Sequence, residues 1–192
     1  MSTTITRATM IALLDSVALA TGVQAQSSHG SGHGSGHDGH KMDHSAFGMP
    51  GKASQASRTV EITMRDNYFE PEEIEIAHSE TIRFVVKNAG DLVHEFNIGD
   101  ADYHDEHGPM MQMLVDHGVL EADKINHDAA KHMQASMGHG MHEEANAVLL
   151  EPGKSAEIVW TFPDGGEIEI ACNVPGHYAA GMVIEAAFKG TH

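Results

Sequence analysis

From Arg58 onward the apolar residues recur at every second position, and that period restricts most of the chain to strands rather than helices. Val60, Ile62 and Met64 alternate with Glu61 and Thr63. Ile74 and Ile76 alternate with Glu73 and Glu75, and Ile82, Phe84 and Val86 alternate with Arg83 and Lys87 before Asn88-Ala89-Gly90 turns the chain. His94, Phe96 and Ile98 then share a face. The pattern returns after residue 146: Val148-Leu149-Leu150, the turn Glu151-Pro152-Gly153-Lys154, then Ala156, Ile158, Trp160 and Phe162 on one face. A second turn, Pro163-Asp164-Gly165-Gly166, precedes the face of Ile168, Ile170 and Cys172, and Met182, Ile184, Ala186 and Phe188 form the last. Short half-buried strands punctuated by turns predict an all-β antiparallel sandwich or barrel, not a parallel α/β fold. Without its appendages the domain has roughly 90 residues, near the usual size of a small sandwich.

One appendage interrupts the β pattern at about residues 99–146. Gly99–Asn146 holds seven His, six Met, ten Asp or Glu and two Lys. Pro109 is placed to open a short helix through Met110, Met113 and His117, ended by Gly118, and a second helix is expected from about Glu121 to Met137. Met133, Met137 and Met141 follow at helical spacing. A Met stripe of this kind packs a helix onto a core; together with His127, His132, His139 and His142 it equally suits a secondary metal site.

The other appendage is N-terminal. Met1–Ala25 reads as a signal peptide: Arg7 in the n-region, a mostly apolar stretch from Met10 to Ala20, and Val23-Gln24-Ala25 at the cleavage position. Asp15 interrupts the apolar run, which is too short to span a bilayer at roughly 20 apolar residues. The protein is therefore expected to be exported and soluble. Residues 26–57 are His-, Gly- and Ser-rich and expected to be a disordered tail, with the folded domain at 58–192. His29, His33, His37, His40 and His44, with Met42 and Met49, make the tail either a loose metal-gathering arm or a solvated linker.

A formal charge of −17 argues against nucleic acid and anionic membrane as partners, since both need a basic footprint. The single Cys excludes an internal disulfide, a thiolate zinc ribbon and a four-cysteine iron–sulfur site. An unpaired thiol in an oxidising compartment is a liability unless buried, paired between chains or metal-bound. Alone, Cys172 would read as inert core, and His94, His177 and Met182 as ordinary strand-end, loop and packing residues. Their conjunction is more informative. In Cys172-Asn173-Val174-Pro175-Gly176-His177-Tyr178-Ala179-Ala180-Gly181-Met182, thiolate, imidazole and thioether recur every five residues. Cys172, Met182 and His94 lie on inward strand faces, so three strand ends point donors into one core while the loop adds His177. Two imidazoles, a thiolate and a distant thioether match the ligand set of blue-copper sites; zinc has little use for the thioether.

With these residues the chain resembles the cupredoxin superfamily. The resemblance rests on Asp66-Asn67-Tyr68-Phe69-Glu70-Pro71, Phe84-Val85-Val86-Lys87-Asn88, Val93-His94-Glu95-Phe96 and the loop from Cys172 to Met182, and covers about residues 58–190 apart from the insertion. Within the superfamily, the His-rich N-terminus and His/Met-rich insertion look like the periplasmic copper-tolerance cupredoxins of the CopI type. The resemblance implies a Greek-key β-sandwich, one type 1 copper held by His94, Cys172, His177 and Met182, periplasmic location and a role in surviving excess copper; the His- and Met-rich composition of the tail and insertion suits additional weak copper sites there.

The expected function is therefore copper binding, buffering or Cu(I) oxidation with one-electron transfer, and the expected partners are copper ions and a periplasmic redox or copper-transfer protein. The alternative is a dedicated electron carrier, with His177 as its port. A multicopper oxidase or copper nitrite reductase would need a second copper centre and further domains, and a two-thiolate binuclear centre cannot be built from one Cys. No enzymatic activity beyond weak Cu(I) oxidation is expected.

Overall fold

The structure, a computed structural model, describes residues 46–138, 141 and 144–190. The expected signal peptide, the tail histidines, and His139 and His142 of the insertion lie outside the described residues. The described strands are β1 (Met49–Pro50), β2 (Arg58–Arg65), β3 (Tyr68–Glu70), β4 (Glu73–Ile76), β5 (Thr81–Asn88), β6 (His94–Gly99), β7 (Ala147–Leu150), β8 (Ser155–Thr161), β9 (Ile168–Ala171) and β10 (Val183–Phe188). Two helices, α1 (Ala101–Asp116) and α2 (His127–Met137), lie between β6 and β7. No described helix is long and apolar enough to cross a membrane.

The strands form two five-stranded sheets, ordered β1-β8-β5-β2-β3 and β4-β10-β9-β6-β7. Their inner faces carry the alternating residues: Ile62, Met64, Ile82, Phe84, Val86, Ile158 and Trp160 from one, Ile76, Phe96, Ile98, Ile170 and Ile184 from the other, all essentially buried in one core. Phe84 makes a tilted ring contact with Phe96 across the sheets, with centroids 5.3 Å apart.

Three expectations need correction. The sheets are mixed rather than antiparallel throughout: β2 pairs parallel with β5, and β4 with β10. The chain crosses to the second sheet as β4 between β2 and β5, so β5 returns beside β2 in the same direction. Alternation reports burial, not direction, and leaves this unspecified.

The folded domain also begins earlier than Arg58. Phe47 is buried, its carbonyl accepts from the Trp160 indole N–H at 2.9 Å, and β1 pairs with β8. Gly48, at φ +122°, lies against the Thr161 carbonyl where a side chain would collide. The stretch looked like linker because its few anchoring contacts are long-range.

Third, the helices of the insertion start elsewhere. Asp100 caps α1, its side chain accepting from the Tyr103 N–H at 2.8 Å, so the helix begins at Ala101 and Pro109 lies inside it. The proline removes only a bond to exposed Asp105, where water can replace it. Asn126 caps α2, and a bridge between Leu120 and Ile125 occupies the expected first turn. Gly118 does follow the end of α1, at φ +66°. Met111 and Met133 join Val93, Leu114, Val119, Leu120 and Ile125 in a second small core.

The insertion leaves and rejoins the sandwich at one place. Asn97 of β6 is the register partner of Ala147 of β7, and the Asn146 side chain closes the gap by donating to Asn97 Oδ1 at 3.0 Å and the Ile98 carbonyl at 2.8 Å. β6 is buried along its whole length, Glu95 and Asn97 included, although the alternation places those two outward.

Candidate metal centre

Two sheet-borne strand ends and one loop build the site. β6 lies next to β9 in the second sheet, with Asn97 opposite Ala171, so His94 at the start of β6 comes beside Cys172 just past β9. The turn before β6 is tied down from inside: Asn88 Nδ2 donates to the Leu92 and Leu150 carbonyls, both at 2.8 Å. The loop from Cys172 to Met182 folds back on itself. The Cys172 N–H reaches the Met182 carbonyl and the Met182 N–H the His177 carbonyl, each at 3.1 Å, while Gly176 and Gly181 adopt φ +91°.

These constraints bring the donors together. Cys172 Sγ lies 3.3 Å from His177 Nδ1 and 3.8 Å from His94 Nδ1, and the two imidazole nitrogens are 3.2 Å apart. The three ligand atoms all lie within 4.8 Å of one another. Met182 is fully buried in the main core that also holds Cys172, one residue before β10. His94 and Cys172 are buried, and His177 is half-buried.

His94 Nε2 lies 2.9 Å from Asp66 Oδ1. An N–H donated to that carboxylate leaves the His94 Nδ1 lone pair facing sulfur. Asp66 is itself fixed by the Asp91 and Leu92 N–H groups. Burial opposes its charge, but these hydrogen bonds outweigh burial and hold the carboxyl below its ordinary range.

Burial, reinforced by the Glu95 charge, pushes the Cys172 thiol up to about 12, against the pull of the Glu95 N–H, which donates to Sγ at 3.3 Å. Burial and then His94 hold His177 below its usual value. Without a cation the sulfur therefore keeps its proton, and a cation can take that proton's place. A thiolate and two neutral imidazole lone pairs at these separations repel unless they share a positive centre. The donor set fits a single soft-to-borderline metal ion.

Behind the sulfur lies a polar layer that sequence reasoning did not foresee. The Glu95 carboxylate faces His107 Nε2 of α1 at 3.0 Å and accepts from the Asn173 N–H at 3.3 Å and Asn173 Nδ2 at 2.9 Å. His104 Nδ1 lies 3.1 Å from Asn173 Nδ2. Burial opposes the charges of this pair, yet His107 and the Asn173 donors hold Glu95 low and Glu95 holds His107 high. Asp66, Glu95 and Asn173 stand within the motifs quoted from the sequence, but nothing in their spacing marks a supporting role. His104 and His107 were visible only as part of the insertion's composition. His127 and His132 of α2 are exposed, and among the described residues the one group of three or more His, Cys, Asp or Glu ligand atoms found to converge is that of His94, Cys172 and His177.

A two-sheet sandwich with a His–Cys–His group at the end of its second sheet defines a cupredoxin. A family model described as a cupredoxin-like domain matches residues 44–117. The fold is also that of a solved auracyanin B, at a TM-score of 0.52 and 19% identity over 74% of this chain and 96% of that one. More narrowly, the chain belongs to the CopI-type cupredoxins. It is 47% identical to the copper-resistant cuproprotein CopI of Pseudomonas aeruginosa over 148 residues, 72% of this chain and 80% of the relative. The protein of the same name from Rubrivivax gelatinosus is 35% identical over 166 residues, 85% of this chain and 86% of the relative.

Proposed function

We propose that this protein is an exported, periplasmic type 1 copper protein of copper tolerance, which binds and buffers copper and exchanges one electron through the same centre. The observation that carries the reading is the convergence of Cys172 Sγ, His94 Nδ1 and His177 Nδ1 within 4.8 Å, with the sulfur and the first imidazole buried. His94, Cys172 and His177 would hold the copper, with Met182 as a further sulfur donor. Copper held by such a set supplies one-electron chemistry between Cu(I), which prefers the sulfur donors, and Cu(II), which accepts the imidazoles. The chain's own part is to hold those donors rigidly, so that neither oxidation state can rearrange them. Asp66 orients His94, the Glu95 N–H supports the sulfur, and the loop hydrogen bonds fix His177, whose outer edge serves as the exit for an electron.

The relatives' names support copper resistance, and the signal-like Met1–Ala25 supports export. The chain's charge of −17 favours cations near its surface. The role is metal binding and electron exchange rather than turnover of an organic substrate. The test is deletion of the gene in its host and return of either the wild type or Cys172→Ser. We expect copper sensitivity that the wild type relieves and the variant does not, with respiration unaffected. Loss of respiratory growth without copper sensitivity would make the protein a dedicated electron carrier instead.

A further inference from the structure

The carboxylate behind the sulfur carries a charge that packing does not call for. Glu95 is 4% exposed. Its backbone N–H donates to Cys172 Sγ at 3.3 Å. Its side chain lies against the residue that follows Cys172, accepting from the Asn173 N–H at 3.3 Å and from Asn173 Nδ2 at 2.9 Å. His107 Nε2, at 3.0 Å, is its one ion-pair partner among the described residues, and none of their Lys or Arg side chains pairs with it.

Glutamine has nearly the same shape. It accepts from Asn173, and its amide donates to His107 once that ring adopts its other tautomer. An amide would therefore join α1 to β6 and leave the N–H on sulfur in place, without the cost of burying an ionised carboxylate. The charge needs a reason outside packing, and it reaches the sulfur: the Cys172 thiol is pushed up to about 12 chiefly by burial, and the Glu95 charge adds to that push. A negative charge that acts on the thiolate also acts on a metal held there. A Cu(I)–thiolate unit has no net charge, whereas a Cu(II)–thiolate unit carries one positive charge. In a buried setting, where Coulomb forces are weakly screened, a fixed anion stabilises the second and not the first.

We propose that the Glu95 carboxylate, held in place by Asn173 and by His107 of the insertion, biases the centre toward Cu(II) over Cu(I). Glu95 acts through the sulfur and supplies no donor atom, so it is a positioning residue. The inference rests on the copper reading above and gives that reading a direction. Cu(I) at the centre passes one electron to a protein redox partner and stays bound as Cu(II). The insertion thus acts on the centre through the ring of His107, without contributing a ligand.

The test compares the full mature chain with Glu95→Gln, which keeps the shape and loses the charge, and Glu95→Asp, which keeps the charge and loses reach. Redox titration of the Cu(II) charge-transfer band gives the affinity ratio of the two oxidation states. Competition titrations with Co(II) and Ag(I) give the divalent-to-monovalent preference with ions that do not change state. Partners around metal ligands are worth about 10–100-fold. At the lower end of that range, Glu95→Gln should reduce the Cu(II)-to-Cu(I) ratio about tenfold, a rise in reduction potential of about 59 mV. The Co(II)-to-Ag(I) ratio should fall with it, and Glu95→Asp should keep most of both ratios. If Glu95→Gln matches the wild type, or Glu95→Asp shifts as far as Glu95→Gln, the side chain acts by packing and the proposal is overturned. If the wild type gives no charge-transfer band, the copper reading fails, and the cobalt-to-silver ratio still decides whether the carboxylate selects charge.

Discussion

The backbone N–H of Glu95 donates to the sulfur of Cys172 across 3.3 Å, while the carboxylate of the same residue is held by His107 and Asn173. One buried residue thus ties the sulfur's hydrogen bond to the helix that the insertion lays over β6. Glu95→Leu leaves the Asn173 donors and the His107 ring without their partner, and removing one member of a buried pair costs about 3–5 kcal/mol. Glu95→Gln retains much of the hydrogen bonding and should cost clearly less. Urea unfolding of the metal-free proteins measures both. A Leu variant as stable as the wild type would mean that the network contributes nothing to the fold.

Asp66 holds His94 Nε2 at 2.9 Å and sets which nitrogen faces the sulfur. Asp66→Ala removes that orientation without touching a ligand atom, and losses of this kind cost about 10–100-fold in metal affinity. Competition against a chelator of known strength gives the number. Unchanged affinity would show that β6 alone positions the ring.

Glu80 supplies a pH dependence remote from the metal donors. Burial opposes its charge, but Arg58 Nε at 2.9 Å, Ser57 Oγ at 2.6 Å and the Ala77 N–H at 2.8 Å lower its carboxyl from 4.5 to about 2. Because the folded value is depressed, its contribution is complete above the unfolded value of 4.5 and disappears as pH falls toward 2. The full effect is about 2–3 kcal/mol. The stability gap between wild type and Glu80→Gln should therefore close across that acid window, as measured by denaturant titration at a series of pH values. A gap that stays constant down to the lower limit would contradict the assignment.

Phe47 tests where the domain begins. Its ring packs against Tyr103 at a centroid distance of 4.9 Å and stacks with Trp160 at 6.2 Å. Phe47→Ala should cost about 3–5 kcal/mol, the range for truncating a buried aromatic residue, and should lower the thermal midpoint. A change within about 0.5 kcal/mol, typical of surface positions, would return the residue to the tail.

Residues such as Ile62, Phe84 and Ile170 were legible because strand burial is a local, period-two property. The donors were legible for a related reason: Cys172, His177 and Met182 share one loop, and His94 falls on an inward face. The parallel pairing of β2 with β5 was not, since nothing in a strand's own residues records its neighbour. Glu95 and Asn97 read as outward because the residues that cover them, His107 of α1 and Asn146, come after β6 in the chain. Asp66 and Asn173 stand within motifs of the sequence and His107 within the insertion, but their supporting roles were not legible, because a residue supporting a ligand has no spacing rule; contact in space makes it a partner.

The most direct measurement is visible and electron paramagnetic resonance spectroscopy of the Cu(II)-loaded mature protein beside its Cys172→Ser variant. A strong thiolate-to-copper charge-transfer band in the wild type, lost in the variant, is the predicted result. No such band in the wild type, or its persistence without the sulfur, would contradict a copper centre built on His94, Cys172 and His177.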